Sequence, residues 1–485
     1  MGEENRASSL DRRRFLQLLG VAGAGVALGA CSSATSPVGS ATTTAPPAGG
    51  FPLGAASKAK TKPVTVTFWN SMTENNLLTL QSLTKQFNAS QSDVLVKLVN
   101  QNSYTDTLTA YTAAAGSHTL PDLVQMENVD LQVMVDSQTV VPAGDAVAAE
   151  AASASETVAS WYSKLSLLPS ALDYFSISGT QWAMPFNEST QVLYYDQVAF
   201  EKAGLDPSSP PTTLDEYKSA CEAIVSKNVA KFGTSLKLTS SNFELWMAQA
   251  GSDLVNNGNG RTARATKVSF NDSAGQSLFA FYSEMLSSKL AQATSGTGSG
   301  DFDNLLAIAS GSAPMSIDTS AALGTVLATL PKLRKSLKLG LGPLPAPPGP
   351  GGVPYGGAGL YMVKDSPDER QDGAWQFIKF LLGAGPMAIW SVGSGYIPIT
   401  SAALDVTSLK AAWARVPQYK VAYEQVETTK SSTATGGAVA GALAQIETNI
   451  LNGITSVSSG TAPNKALSEI AYESDTALSS YNSRL

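Results

Sequence analysis

From Pro63 onward the chain switches back and forth between two hydrophobic periods, and that switching restricts its fold more than any other feature. Val64-Thr-Val-Thr-Phe-Trp69 alternates, is rich in β-branched residues and reads as a strand. Residues 77–88 place Leu77, Leu80, Leu83 and Phe87 on one helical stripe. Residues 93–99 return to strand, 104–115 to helix, and 120–126 give a third, short apolar strand. Strand-helix-strand-helix-strand calls for an α/β architecture, a mostly parallel sheet with helices on its faces.

The same alternation continues to the C-terminus. Residues 278–290 carry Leu278, Phe281, Met285 and Leu286 at helical spacing, 301–309 predict a further helix, and 313–317 a short strand. Residues 339–359 hold Pro343, Pro345, Pro347, Pro348, Pro350 and Pro354, which predicts an extended connection leading into a strand at 359–363. Residues 369–382, 438–451 and 466–481 predict helices. About 425 residues follow position 60, ample for two domains of ordinary size.

What precedes this body reads as an address. Arg12, Arg13, Arg14, Phe15 and Leu16 stand before an apolar Gly/Ala-rich stretch that ends at Leu28-Gly-Ala-Cys31. A basic region, a short apolar core and small residues before a cleavage point describe an export signal over residues 1–30. Its 16 residues from Phe15 to Ala30 fall short of the ~20 that a membrane span needs. The paired arginines resemble a twin-arginine (Tat) signal and the Cys31 segment resembles a lipobox, which implies a diacylglycerol anchor on Cys31. Residues 31–62 are mostly Ser, Thr, Ala, Pro and Gly, and are expected to be a flexible tether between the lipid and the body.

Composition removes several functions. Cleavage after residue 30 takes away four Arg and three acidic residues and moves the formal charge from -7 to -8. With 15% charged residues and no basic stripe, the chain has no electrostatic footprint for nucleic acid. Once Cys31 is lipidated, Cys221 is the one remaining cysteine, so no intrachain disulfide forms. The single histidine, His118, has no nucleophile motif around it, and no Gly-x-Ser-x-Gly elbow or P-loop occurs. Ser82-Leu-Thr-Lys85 has a Ser-x-x-Lys spacing but lies inside the predicted helix 77–88 and lacks its partner motifs. The chain is therefore expected to use no metal or organic cofactor and to be no enzyme.

Residues 184–217 are the most specific stretch. They run Met-Pro-Phe-Asn-Glu-Ser-Thr-Gln-Val-Leu-Tyr-Tyr-Asp, then Ala203-Gly-Leu-Asp-Pro207, then Pro210-Pro-Thr-Thr-Leu-Asp-Glu-Tyr217. They predict a polar loop at 187–190, a buried strand at 192–195, a short helix, and a second helix capped by Thr213 three residues before Glu216. This run resembles the extracellular solute-binding proteins of ABC importers, the carbohydrate and glycerol-3-phosphate group. Phe68-Trp-Asn-Ser-Met72, Leu120-Pro-Asp-Leu-Val124, Gly356-Gly-Ala-Gly-Leu360, Ala374-Trp-Gln-Phe-Ile-Lys-Phe380 and Gly395-Tyr-Ile-Pro-Ile-Thr400 extend the resemblance over most of the body.

The resemblance implies a periplasmic-binding-protein-like fold of two α/β lobes with a ligand cleft between them. Residues 63–190 plus 355–393 are expected in the N-terminal lobe and 191–354 plus 394–485 in the C-terminal lobe. It implies a monomer that captures a sugar or related polyol by hinge closure and hands it to ABC permease subunits with a separate ATPase. By motif position it implies ligand contacts at Tyr104, Glu127, Ser189, Ser320, Gly357 and Tyr396, with Asp318 as the alternative to Ser320. Trp69 and Trp182 are candidate aromatic surfaces for sugar faces or a choline-like cation. Glycerophosphate binders grip phosphate with an arginine in the C-terminal lobe, but no arginine lies between Arg415 and Arg484. A neutral mono- or oligosaccharide is thus the expected ligand, with glycerol 3-phosphate or a glycerophosphodiester as the alternative within the family. A surface-anchored glycan-degrading enzyme and a structural lipoprotein are the alternatives from other classes.

Overall fold

A computed structural model describes residues 50–153, 165–296 and 302–485. The export signal and Cys31 lie outside the described residues.

Thirteen strands occur among the described residues: β1 (Val64–Asn70), β2 (Val94–Asn100), β3 (Leu123–Glu127), β4 (Val140–Val141), β5 (Ser176–Ile177), β6 (Thr180–Gln181) and β7 (Met184–Ser189) come first. They continue with β8 (Gln191–Asp196), β9 (Thr234–Leu238), β10 (Ala291–Ser295), β11 (Met315–Thr319), β12 (Leu339–Pro343) and β13 (Gly356–Val363). The first sheet runs β2-β1-β3-β13-β4, with β7 also on β13; the second runs β10-β9-β11-β8-β12. β1 is parallel to β2 and β3, as strand-helix-strand spacing requires, while β13 returns antiparallel.

Local chemistry accounts for the elements that frame the first lobe. β1 buries Val64, Val66 and Phe68, alternating with less buried residues. Helix Asp368–Leu382 lays Trp375, Phe377, Ile378 and Leu381 against this sheet, and Phe377 meets Phe68 and Phe87 edge-on at 6.0 and 5.1 Å. Helix Tyr104–Ser117 is capped by Ser103, whose hydroxyl accepts from Asp106 N. The cap fixes Tyr104 at the helix's first turn.

Two segments cross between the sheets. β7 ends on the first sheet, Thr190 turns the chain, and β8 enters the second. The return path runs from β12 through residues 344–355 into β13.

Three sequence expectations change. Residues 187–189 are not loop but the end of strand β7, because β13 supplies their backbone partners and the side chains of Asn187 and Ser189 find partners of their own. The proline-rich connection begins as strand β12, which occupies the open edge of the second sheet; Pro343 is its last residue, where a missing N–H is tolerated. The helix expected at 438–451 spans Leu443–Ser458, since the preceding residues approach another segment, with Val439 N donating to Asn259 O at 2.9 Å. The capped helix at Thr213 forms as expected over Leu214–Ser226, with a full capping box.

Candidate functional site

One wall of the seam between the lobes is built around Asn187. Its amide donates to the Tyr104 hydroxyl at 2.7 Å and accepts from Gln125 Nε2 at 2.5 Å, and the side chain is wholly buried. The Tyr104 and Tyr396 hydroxyls lie close enough for each to influence the other's ionisation. Tyr396 stacks on Trp390 at 5.5 Å and 6°, and Trp390 stacks on Phe186 at 4.7 Å. Ile397 N bonds Glu188 O at 2.8 Å, which ties the Tyr396 segment to β7. Glu127 ends β3 beside this group. Tyr104, Glu127 and Tyr396 are therefore brought together around an asparagine that the sequence reading did not single out.

The other expected residues are placed differently. Ser189 Oγ donates to Gly356 O at 3.0 Å and accepts from Thr319 Oγ1 at 3.2 Å. Ser320 exchanges bonds with Thr190, its N donating to Thr190 O at 2.8 Å and its Oγ accepting from Thr190 N at 3.3 Å. Both serines fasten the crossing segments. Gly357 is required by packing: a Cβ there would lie 2.1 Å from Asn187 O. Its N–H is also engaged, by Asn128 at 3.3 Å. Asp318 is nearly buried in the second sheet, paired with Lys237 at 3.3 Å and bonded by Asn304 at 2.9 Å. Trp69 and Trp182 pack against the small cluster of Tyr111, Val124, Met126 and Phe175.

The opposite wall comes from helices Ser240–Ala250 and Leu443–Ser458, which carry Glu244 and Glu447. The short helix Asn128–Asp130 packs on Leu443–Ser458, so Glu127 and Asp130 meet Glu244 and Glu447 across the seam. Burial first, and Glu244 second, push the Glu127 carboxyl up to about 7. Burial raises Glu244 to about 7 against a lowering bond from Ser240. Burial also drives Asp130, Glu188 and Glu447 well above the usual carboxylate range. In Glu447 the charges of Glu244, Glu127 and Asp130 add to it.

The space left at the seam is narrow, a cavity of ≈ 20 Å³ that has room for about one water. Asn128, Tyr174, Glu244 and Asn259 give it polar lining. Asn128 also reaches the Tyr174 hydroxyl at 2.7 Å. A larger hollow, ≈ 420 Å³, opens to solvent between Leu78, Ile389 and Val392 and lies apart from these groups.

Arg261 reaches the seam, and the sequence reading missed it. Its guanidinium binds carbonyls of both lobes: Asp173 at 2.6 Å, Ser176 at 2.8 Å and Tyr174 at 3.4 Å on one side, Gly437 at 2.9 Å and Gly436 on the other. Burial lowers its pKa to about 10, so it stays charged at neutral pH. Arg264 adds a fork on Asp136 at 2.8 and 2.6 Å. No sequence signal marked Arg261, because the carbonyls it collects come from segments near 175 and 436.

Two α/β lobes joined by three crossing segments, with polar groups converging at the seam, define a bilobal ligand-capturing protein. Residues 82–420 match the family of bacterial extracellular solute-binding proteins, and the chain belongs to that family. It is 28% identical over 345 residues to the sn-glycerol-3-phosphate-binding periplasmic protein of Brucella melitensis, covering 70% of this chain and 76% of that one. Among solved structures it is similar to the cyclic alpha-maltosyl-1,6-maltose binding protein of Arthrobacter globiformis (TM-score 0.68, 22% identity, 86% and 99% of the two chains). It is likewise similar to the Mycobacterium tuberculosis protein solved with glycerophosphocholine (TM-score 0.67, 19% identity, 86% and 99%). These structural likenesses describe the fold.

Proposed function

We propose that the chain is the solute-binding component of an ABC importer, that it captures a mono- or oligosaccharide by hinge closure, and that it performs no chemistry on it. The mature protein acts as a monomer, held at the outer face of the cell membrane by lipid on Cys31 after twin-arginine export. It delivers the sugar to a permease whose ATPase subunits are separate chains. Closure is the capturing step because only the closed form lets both lobes contact the solute.

The observation that carries a sugar over glycerol 3-phosphate is the charge of the seam. Glu127 and Asp130 face Glu244 and Glu447, and the nearby Arg261 guanidinium is occupied by backbone carbonyls. A phosphate would enter an acidic, partly dehydrated site with no free fork to hold it. Hydroxyls suit it, since each carboxylate accepts up to four hydrogen bonds and the tyrosine rings offer apolar faces.

Thermal shift against sugars, polyols and glycerol phosphates tests this reading. A true ligand at about 100 times its dissociation constant adds roughly 2.7 kcal/mol. Stabilisation by glycerol 3-phosphate alone would reverse the assignment. A carboxyl pair poised near neutrality is also what a glycosidase uses, so release of product from any glycan would overturn the transport reading. For the anchor, Cys31→Ser should move the protein from the membrane fraction into the medium.

A further inference from the structure

Glu127, Asp130, Glu244 and Glu447 converge on the seam from four separate elements: β3, the short helix after it, and the two helices of the second lobe. Two buried carboxyls here keep oxygens without a hydrogen-bond partner. Glu188 is wholly buried with neither oxygen hydrogen-bonded, and Glu244 Oε1, in the cavity wall, is likewise unmatched. Glu188 lies close enough to Tyr174 in the cavity wall, and to Tyr396, for its charge to raise both hydroxyls. Tyr104, Tyr174 and Tyr396 supply the aromatic surface around the group.

Resting on the sugar reading above, we propose that the solute carries a protonated amine, an amino sugar or an amine-bearing oligosaccharide, held by the seam carboxyls and flanked by tyrosine. Buried unpartnered carboxylates are costly, and an ammonium with three donors offsets that cost more fully than hydroxyls do. Tyrosine faces attract the same charge. The Arg261 guanidinium cannot serve as a partner, because its donors are spent on carbonyls of Asp173, Ser176, Gly436 and Gly437. A metal ion fits less well: among the described residues no group of three His, Cys, Asp or Glu side chains is disposed to hold one. An organic cation can spread its donors over carboxyls that do not share a single focus.

The test is calorimetric titration of the whole mature protein at pH 7.5 with glucosamine, N-acetylglucosamine and glucose, and with the β-1,4-linked trimers of each. The amine form should bind at least tenfold tighter than its acetylated and hydroxyl counterparts. Glu244→Gln and Glu447→Gln, which keep side-chain shape, should each cut that preference to within about twofold. They should also raise the melting temperature of the ligand-free protein, a readout that shows the variants fold. Neutral sugars binding as tightly as the amine, or a preference that survives both substitutions, would overturn the inference and leave the sugar reading standing. Absence of binding by all six compounds would instead overturn the sugar reading on which it rests.

Discussion

Asn187 has more riding on it than any other side chain in the seam wall. It satisfies the Tyr104 hydroxyl and the Gln125 amide at once, both from segments distant in sequence. Asn187→Ala strands two buried polar groups, so unfolding free energy should fall by about 1–3 kcal/mol in a urea titration. Solute affinity should fall with it, because Tyr104 loses its orientation. Gly357→Ala acts on the same spot from the other side, pressing a methyl group toward Asn187 O, and overpacking of this kind costs about 1–3 kcal/mol. An unchanged urea midpoint in both variants would remove this account of the wall. At this scale the sequence singled out Tyr104, Glu127 and Tyr396 through their motifs, and the structure places the three near one another. It did not locate Asn187, since an amide inside Asn-Glu-Ser-Thr looks solvated until helix Tyr104–Ser117 and β3 close over it. Gly357 and Ser189 were legible as special, but their visible roles are close packing and a hinge hydrogen bond.

Among the elements, the best-read ones carry their own boundary signals. Thr213 Oγ accepts from Glu216 N at 3.1 Å, while Glu216 Oε2 accepts from Thr213 N at 3.1 Å and Thr212 N at 2.8 Å. Thr213→Ala should therefore cost about 1 kcal/mol in stability, read by urea unfolding. Sugar affinity should stay within twofold, since helix Leu214–Ser226 buries its apolar face in the second lobe's core and supplies none of the seam carboxyls. The elements misread are those whose identity depends on a neighbour. β7 is polar in sequence and becomes a strand because β13 pairs with it; β12 is proline-bounded and survives because it needs only β8 on one side. Periodicity reports which face is buried, and it is silent where the burial is supplied by another part of the chain.

For the whole molecule, contact between the lobes is a balance between ties and repulsion. Arg261 and Arg264 tie the lobes through carbonyls at 173–176 and through Asp136, which also accepts from the Tyr481 hydroxyl at 3.0 Å. Opposing them, Glu127 and Asp130 meet Glu244 and Glu447. Arg261→Ala should shift the ligand-free protein toward an open form, seen as a larger radius of gyration in solution scattering. The pH dependence has a definite sign. With the lobes in contact as here, Glu127 and Glu244 are raised from 4.5 to about 7, whereas exposure to water on opening would return them toward the ordinary range. The closed form then binds more protons, so its stability is fully present below about pH 4.5 and is lost as pH rises through 7. The radius of gyration should increase between pH 5 and pH 8 without ligand, and a neutral sugar should bind more weakly over the same rise. A protonated amine reverses the second trend, because it takes the place of the lost protons. Scattering and titration at the two pH values separate these outcomes, and a radius and affinity that ignore pH would show that the seam carboxyls do not govern closure.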